Sequence, residues 1–359
     1  MTRRLLLLNG LAVLMIPLHH STFLGLEAMF AWTDRYMNVS VPNFDQLGSL
    51  SYYVLMFIRQ MDAFGVPAFL FVSGFYIAFM ARGESRHVTQ NDFLPRIKVL
   101  LVPFILWTMI RYVLLTRVPA SIDDILDPYY YLVVLIQLYL LSPWLVRIAD
   151  SRPGLLLAAA ALIHLSFRSI MFFNLMGVDS PVLDLVTKYN VRWVFPAWLL
   201  HFSLGLVAGL NVESASAWLH RMRWWLLAAV ITTLSLSLVE YELLARWSGQ
   251  EWLGPNNPGI TRMAYATLVA PCFLGFAATR LPLSRHLAYL GANSLGIYLG
   301  NLPFAYLAAV IMYHFTPAVL GAQPVYQAVL ILAGFGGPLI LMWLWKRLPV
   351  RRYYRLAFG

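Results

Sequence analysis

The stretch Leu5-Leu-Leu-Leu-Asn-Gly-Leu-Ala-Val-Leu-Met-Ile-Pro-Leu-His-His20 decides the fold class of this chain. A helix that crosses a bilayer needs about 20 consecutive, mostly apolar residues, and comparable stretches recur from one end of the sequence to the other. We predict an all-α polytopic membrane protein with one membrane domain over residues 1–359 and about ten spans, at 5–31, 52–81, 97–116, 128–148, 154–174, 194–212, 223–241, 260–281, 287–313 and 324–346.

The composition excludes a soluble globular domain. Hydrophobic residues make up 60% of the 359 residues, charged residues 12%, and the mean hydropathy is +0.69, whereas soluble domains are about 25% charged. The single cysteine, Cys272, lies within a span, so one chain can form neither a disulfide nor a thiolate metal site. No Cys/His cluster or metal-binding motif is present, and we expect no metal.

We interpret the net charge of +10 as a result of membrane topology rather than as a sign of nucleic-acid binding. Alternate loops, beginning with the N-terminal one, hold most of the 26 Lys and Arg residues, and cytoplasmic loops collect these residues. We therefore expect both termini in the cytoplasm and an uncleaved first helix. The other basic residues lie in the opposite loops or within spans: Arg35, Arg59, Arg111, Arg117, Arg168, Lys188, Arg192, Arg246 and Arg262.

Three longer segments are predicted to lie outside the membrane on the external side. They are Asp34–Ser51, Asn174–Trp193 and Tyr241–Gly259. The end of the last one, residues 249–259, is rich in Gly, Pro and Asn, which favour loops.

Adjacent histidines, His19 and His20, lie in the first span, and Glu27 follows seven residues later. Titratable side chains at membrane depth are costly and are usually functional. His20 and Glu27 are about two turns apart and share one helix face. This pattern predicts His20 as a general base oriented by Glu27. His19 points about 100° away and is interpreted as a packing residue.

Asp62, in the second span, is an alternative orienting carboxylate. It follows Arg59 at a spacing of three residues, at which two helical side chains can pair. Asp62 is therefore either a catalytic residue or one half of a structural ion pair.

Six segments, in order, resemble motifs of the acyltransferase 3 family of integral-membrane acyltransferases, which O-acylate surface polysaccharides and related acceptors. The matches cover nearly the whole chain. They are Asn9-Gly-Leu-Ala with His20, Val66-Pro-Ala-Phe-Leu-Phe-Val-Ser-Gly-Phe75, Phe93-Leu-Pro-Arg96 with Pro103, Leu132-Val-Val-Leu-Ile-Gln-Leu-Tyr-Leu-Leu-Ser-Pro143, Phe202-Ser-Leu-Gly205, and Leu290-Gly-Ala-Asn-Ser-Leu-Gly-Ile-Tyr-Leu299.

The resemblance implies a cytoplasmic acyl-CoA donor, with acetyl-CoA foremost, and an acceptor met at the outer face. It places His20 at the family's histidine. It also implies coenzyme A contacts at Asn9, Ser73, Arg96 and Lys98, with Ser73 having close helix packing as its alternative role. Two positions depart from the family pattern, because Asn9 replaces an arginine and Asn301 replaces a histidine.

The leading interpretation is an inner-membrane O-acyltransferase that moves a short acyl group to a hydroxyl of a glycan or lipid-linked glycan. The rival is a secondary transporter or flippase, in which the buried His, Glu, Asp and Arg residues line a proton or substrate path. A third possibility, raised by Asn9 and Asn301, is a member that only binds its ligand. The expected partners are acyl-CoA, the acceptor and the lipid bilayer, with no nucleic acid.

Overall fold

The computed structural model describes residues 2–29, 47–81, 88–115, 121–181, 183, 192–254 and 257–359. These ranges contain helices and connecting turns, with no strand among them. Most of the expected external segment 34–51 and part of the segment 174–193 lie outside the described residues, as do Arg82 and Arg86 of the basic loop before the third span.

The helices form an all-α membrane bundle. Within the described residues, eight helical segments are long and apolar enough to cross a bilayer, and two shorter apolar ones, Phe195–Leu210 and Ile260–Gly275, stand where the sixth and eighth spans are predicted. The all-α polytopic prediction is therefore confirmed. The helices are α1 (Thr2–Met29), α2 (Leu50–Met61), α3 (Gly65–Met80), α4 (Gln90–Leu115), α5 (Ile122–Leu126), α6 (Tyr130–Ser151), α7 (Pro153–Leu175), α8 (Leu199–Leu210), α9 (Val212–Ser248), α10 (Ile260–Gly275), α11 (Ser284–Ala292), α12 (Ser294–Phe315), α13 (Gln323–Arg347) and α14 (Tyr354–Phe358).

Helix α9 is longer than the predicted span 223–241 and extends beyond it at both ends. The helix continues to Ser248, and Gly249 ends it with a left-handed φ of 67°. Residues 241–248 are mostly good helix formers, and Arg246 pairs with Glu242 one turn earlier at 2.8 Å. The predicted ninth span also differs, because the chain breaks at Asn293 between α11 and α12.

Two pairs of helices approach each other at the glycines of the sequence motifs. A Cβ on Gly74 of α3 would collide with the Phe202 carbonyl of α8, and one on Gly205 would collide with the Phe71 carbonyl. Gly291 of α11 meets the backbone of α1 in the same way, at the Leu6 carbonyl. Small residues let membrane helices pack this closely, and the motif glycines therefore fix α3 to α8 and α11 to α1.

Helix α1 lies at the centre of the arrangement that matters for function. It packs against α2, α3, α11, α12 and α13. Large apolar side chains point away from the bundle on other helices, as expected for a lipid-facing surface: Met109, Val113, Trp224, Trp225, Leu332 and Ile340 are examples. The polar residues of α1 therefore face other helices rather than lipid.

Candidate active site

The best-defined polar contact in the bundle joins His19 to Asp62. Nδ1 of His19 lies 2.9 Å from Oδ1 of Asp62, and the Asp62 side chain is fully buried whereas that of His19 is 30% exposed. Asp62 stands at a break in the second span, where α2 ends at Met61 and a short 3₁₀ turn, Asp62–Phe64, precedes α3. The break allows a carboxylate to leave the helix direction and reach α1.

His20 lies beside this pair with its ring nitrogens open. Its ring meets that of His19 edge to face, with centroids 5.6 Å apart and planes at 80°. The residue is half-buried, and neither ring nitrogen has a hydrogen-bond partner within the described part of the chain. A substrate group can therefore approach His20, while His19 is held on one side by Asp62.

Glu27, expected to orient His20, lies two turns beyond it and is 8% exposed. No hydrogen bond joins His20 to Glu27 among the described contacts. The carboxylate that reaches a histidine is Asp62, and the histidine that it reaches is His19. The structure thus places a carboxylate against His19 rather than His20, whose side chain points about 100° away on the same helix. The roles predicted for His20, Glu27 and Asp62 stay predictions.

Arg59 does not form the expected ion pair with Asp62 within the described structure. Its guanidinium lies over the rings of Phe23 and Trp252, 5.6 and 5.5 Å from their centroids. Arg59 is only 2% exposed. Asp62 is thus available to His19.

Three of the residues predicted to contact coenzyme A lie in two places: Arg96 and Lys98 are on α4, and Ser73 is on α3. Arg96 is exposed at the start of α4 and lies within electrostatic range of Tyr139, whose hydroxyl is near that of Ser73. Lys98 is also exposed on α4. Ser73 follows Asp62 by eleven residues, or about 16 Å at 1.5 Å per residue, so this second polar region lies well away from the histidines.

The two asparagines that depart from the motifs lie inside the bundle. Asn9 is half-buried on α1, and its side-chain oxygen has no hydrogen-bond partner among the described residues. Asn301 is fully buried on α12, where its amide donates to the Tyr298 carbonyl at 2.5 Å. Each asparagine keeps a polar atom where the family pattern has a basic or titratable side chain.

Three arginines within spans lie near histidines of the bundle; the sequence showed Arg59 as a possible partner of Asp62, and Arg168 and Arg262 only as charges outside the cytoplasmic set. Arg59, Arg168 and Arg262 come from α2, α7 and α10. Arg168 donates to the Asn257 carbonyl at 2.9 Å and to His164 at 3.4 Å. Their position within predicted spans was the sequence signal that could have identified these arginines as functional candidates, since a charged residue at membrane depth is usually functional.

His164 and His201 form a separate pair on α7 and α8. Their ring centroids are 5.1 Å apart, and His201 shares a 3.1 Å hydrogen bond with the Thr267 hydroxyl. Among the described residues, no group of three or more His, Cys, Asp and Glu side chains is placed to hold a metal ion.

Fold and site together define a polytopic membrane protein with a buried histidine–carboxylate pair on its first two spans. The chain belongs to the acyltransferase 3 family: a family model described as an acyltransferase domain matches residues 5–343. The protein is therefore a membrane acyltransferase that transfers acyl groups other than aminoacyl groups. Neither the curated proteins nor the solved structures compared with it include a match.

Proposed function

We propose that this protein is an inner-membrane O-acyltransferase. It moves a short acyl group, acetyl foremost, from cytoplasmic acyl-CoA to a hydroxyl of a glycan or lipid-linked glycan. The observation that carries the proposal is His20, which stands at the family's histidine position with open ring nitrogens beside the His19–Asp62 hydrogen bond.

The chemistry follows from the imidazole. A ring nitrogen of His20 takes the proton of the acceptor hydroxyl as its oxygen bonds to the thioester carbonyl carbon. The carbon–sulfur bond then breaks, and the proton passes to the departing sulfur, which leaves an ester and the free thiol of coenzyme A. A general base of this kind contributes a factor of about 10²–10⁴ in rate.

His19 and Asp62 act as positioning residues in this scheme. The carboxylate fixes the tautomer and plane of the His19 ring, as a carboxylate does for other catalytic histidines. The His19 ring in turn packs edge to face against His20 and limits the orientations that His20 can adopt. Glu27 keeps its predicted supporting role further along α1.

The donor enters at the end of the bundle that carries Arg96 and Lys98. Guanidinium and ammonium groups bind phosphate through charge-assisted hydrogen bonds, and coenzyme A carries several phosphates. Ser73 and Asn9 are proposed as further contacts deeper in the bundle. The separation between Ser73 and Asp62 requires the donor to bind in an extended form, with its thioester arm directed toward His20.

Mass spectrometry of envelope glycans tests the proposal. Cells that carry the intact protein should show glycans with an added acyl group, and cells with His20→Ala at equal expression should lack it. Purified protein should in addition be stabilised thermally by coenzyme A, because a ligand that binds only the native state raises stability. Unchanged glycans and no stabilisation by coenzyme A would favour the transporter interpretation instead.

A further inference from the structure

Two arginines from different helices, Arg59 and Arg262, lie near His19, and a third, Arg168, lies near Arg262. Arg59 is near the end of α2, Arg168 is in the last two turns of α7 and Arg262 is in the first turn of α10. The predicted topology places these positions in the external half of the bundle. We propose that Arg59, Arg168 and Arg262 bind an anionic group of the acceptor, a phosphate or a carboxylate; this inference rests on the proposed acyl transfer and names the class of its acceptor.

Contacts between the elements bring the three arginines into one region. The Tyr265 hydroxyl of α10 donates to the Met61 carbonyl of α2 at 2.8 Å. The helix ends that carry Arg59 and Arg262 therefore meet beside His19. Arg168 donates to the Asn257 carbonyl, just before α10, and lies near Arg262. An anion held between Arg59 and Arg262 would therefore sit next to His19, and a hydroxyl attached to it could reach His20.

Two carboxylates lie near the three arginines. Asp62 shares the His19 hydrogen bond through Oδ1, its Oδ2 has no hydrogen-bond partner among the described residues, and its charge acts on Arg59 and Arg262. The Glu240 side chain accepts hydrogen bonds from the Ile260 and Thr261 amides at 2.8 and 2.9 Å and from the Thr261 hydroxyl. Neither carboxylate lies within ion-pair distance of the three arginines in the described structure. Three guanidiniums against two carboxylates leave positive charge in excess there.

Free hydrogen-bond donors accompany this excess charge. Nη1 of Arg59 and Nε of Arg262 are buried, and neither has a hydrogen-bond partner among the described residues. Burying an unpaired charge costs several kcal/mol. A bound anion would satisfy both the charge and the open donors of Arg59 and Arg262.

The surroundings hold the guanidiniums in place without using those donors. The faces of Arg59 contact Phe23 and Trp252, which restricts its plane and leaves Nη1 unbonded. Arg168 is anchored by the Asn257 carbonyl. Such preorganised guanidiniums are the groups that bind carboxylate and phosphate through paired hydrogen bonds.

Binding of small anions to the purified protein tests this inference without requiring turnover. The probes are inorganic pyrophosphate, glucose 1-phosphate and glucuronate, with glucose as the neutral control. The variants are Arg59→Gln and Arg262→Gln, with Arg59→Lys to keep the charge. The matched control is Arg246→Gln, whose side chain is 71% exposed and paired with Glu242.

We expect at least one of the anions to bind, and glucose not to bind. Arg59→Gln and Arg262→Gln should each raise the Kd of that anion by about tenfold or more, because each removes one charged hydrogen bond. Arg59→Lys should lose less affinity, and Arg246→Gln none. Preference for the phosphates indicates a lipid-linked or phosphorylated acceptor, and preference for glucuronate indicates an acidic sugar. Thermal melting identifies any variant that fails to fold. If Arg59→Gln does not fold, the Kd of the anion for Arg262→Gln tests the inference.

Three results would overturn the inference: no anion binds, glucose binds as well as the anions, or the arginine variants lose coenzyme A binding instead. The last result would assign the cluster to the donor. Anion binding in a protein that shows no binding of coenzyme A would instead refute the acyl transfer and leave the anion site in place, so the two failures are distinguishable.

Discussion

Nδ1 of His19 lies 2.9 Å from Oδ1 of Asp62, and this hydrogen bond connects α1 to the break between α2 and α3. The two residues are 43 positions apart in sequence. The hydrogen bond fixes the His19 ring, which lies next to His20, and it gives the Asp62 carboxylate its one hydrogen-bond partner in the described structure.

Replacing Asp62 should lower the catalytic rate without preventing folding. Asp62→Asn keeps the size of the side chain but removes the charge that holds His19. We expect kcat to fall by about tenfold, the equivalent of one charge-assisted hydrogen bond, while KM for acyl-CoA stays unchanged. Steady-state kinetics of the purified protein measures both constants, and Glu242→Gln, a carboxylate paired with Arg246, is the control. A normal kcat for Asp62→Asn would remove Asp62 from the mechanism.

Arg96→Ala should raise KM for acyl-CoA more than it lowers kcat, because it removes binding that the ground state and the transition state share. Arg96 is exposed, so the effect should weaken as ionic strength rises. Arg246→Ala is the control. An unchanged KM would leave Arg96 as a determinant of topology alone.

Gly74→Ala should destabilise the protein, because the added Cβ collides with the Phe202 backbone. Forcing extra atoms into a packed contact costs about 1–3 kcal/mol. Gly154→Ala is the matched control, since a Cβ there meets nothing within 4 Å. Thermal unfolding of both variants in detergent measures the difference. Equal melting temperatures would show that α3 and α8 can separate at no cost.

The orientation of the chain is tested by cysteine labelling in a Cys272→Ala background. Because most basic residues lie in alternate loops, cysteines at Ser151 and Arg352 should be protected from an impermeant reagent in intact cells, and one at Gly249 should react. The opposite pattern would invert the topology and move the arginine cluster to the donor side.

Much of the fold and part of the site could be predicted from the sequence. Hydropathy predicted helices at positions where, in the described chain, eight are long enough to cross a bilayer and two more are shorter, because backbone burial in lipid leaves few alternatives to a helix. His20 and Asp62 were selected as candidates because titratable groups within spans are rare, and their roles stay predictions. The His19–Asp62 pairing could not be predicted, since it depends on the break at Asp62 and on how α2 packs against α1. The convergence of Arg168 and Arg262 likewise depends on contacts between distant helices.

The most direct test of the central claim compares His20→Ala with His19→Ala in one assay of acyl transfer, with folding checked by melting temperature and donor binding by thermal stabilisation with coenzyme A. His20→Ala should lower the transfer rate by about 10²–10⁴ while the protein still binds coenzyme A. His19→Ala should cost much less, because it removes a positioning contact and leaves the base. Near-normal transfer by His20→Ala, or a greater loss in His19→Ala than in His20→Ala, would contradict the account and identify the Asp62-bound histidine as the base.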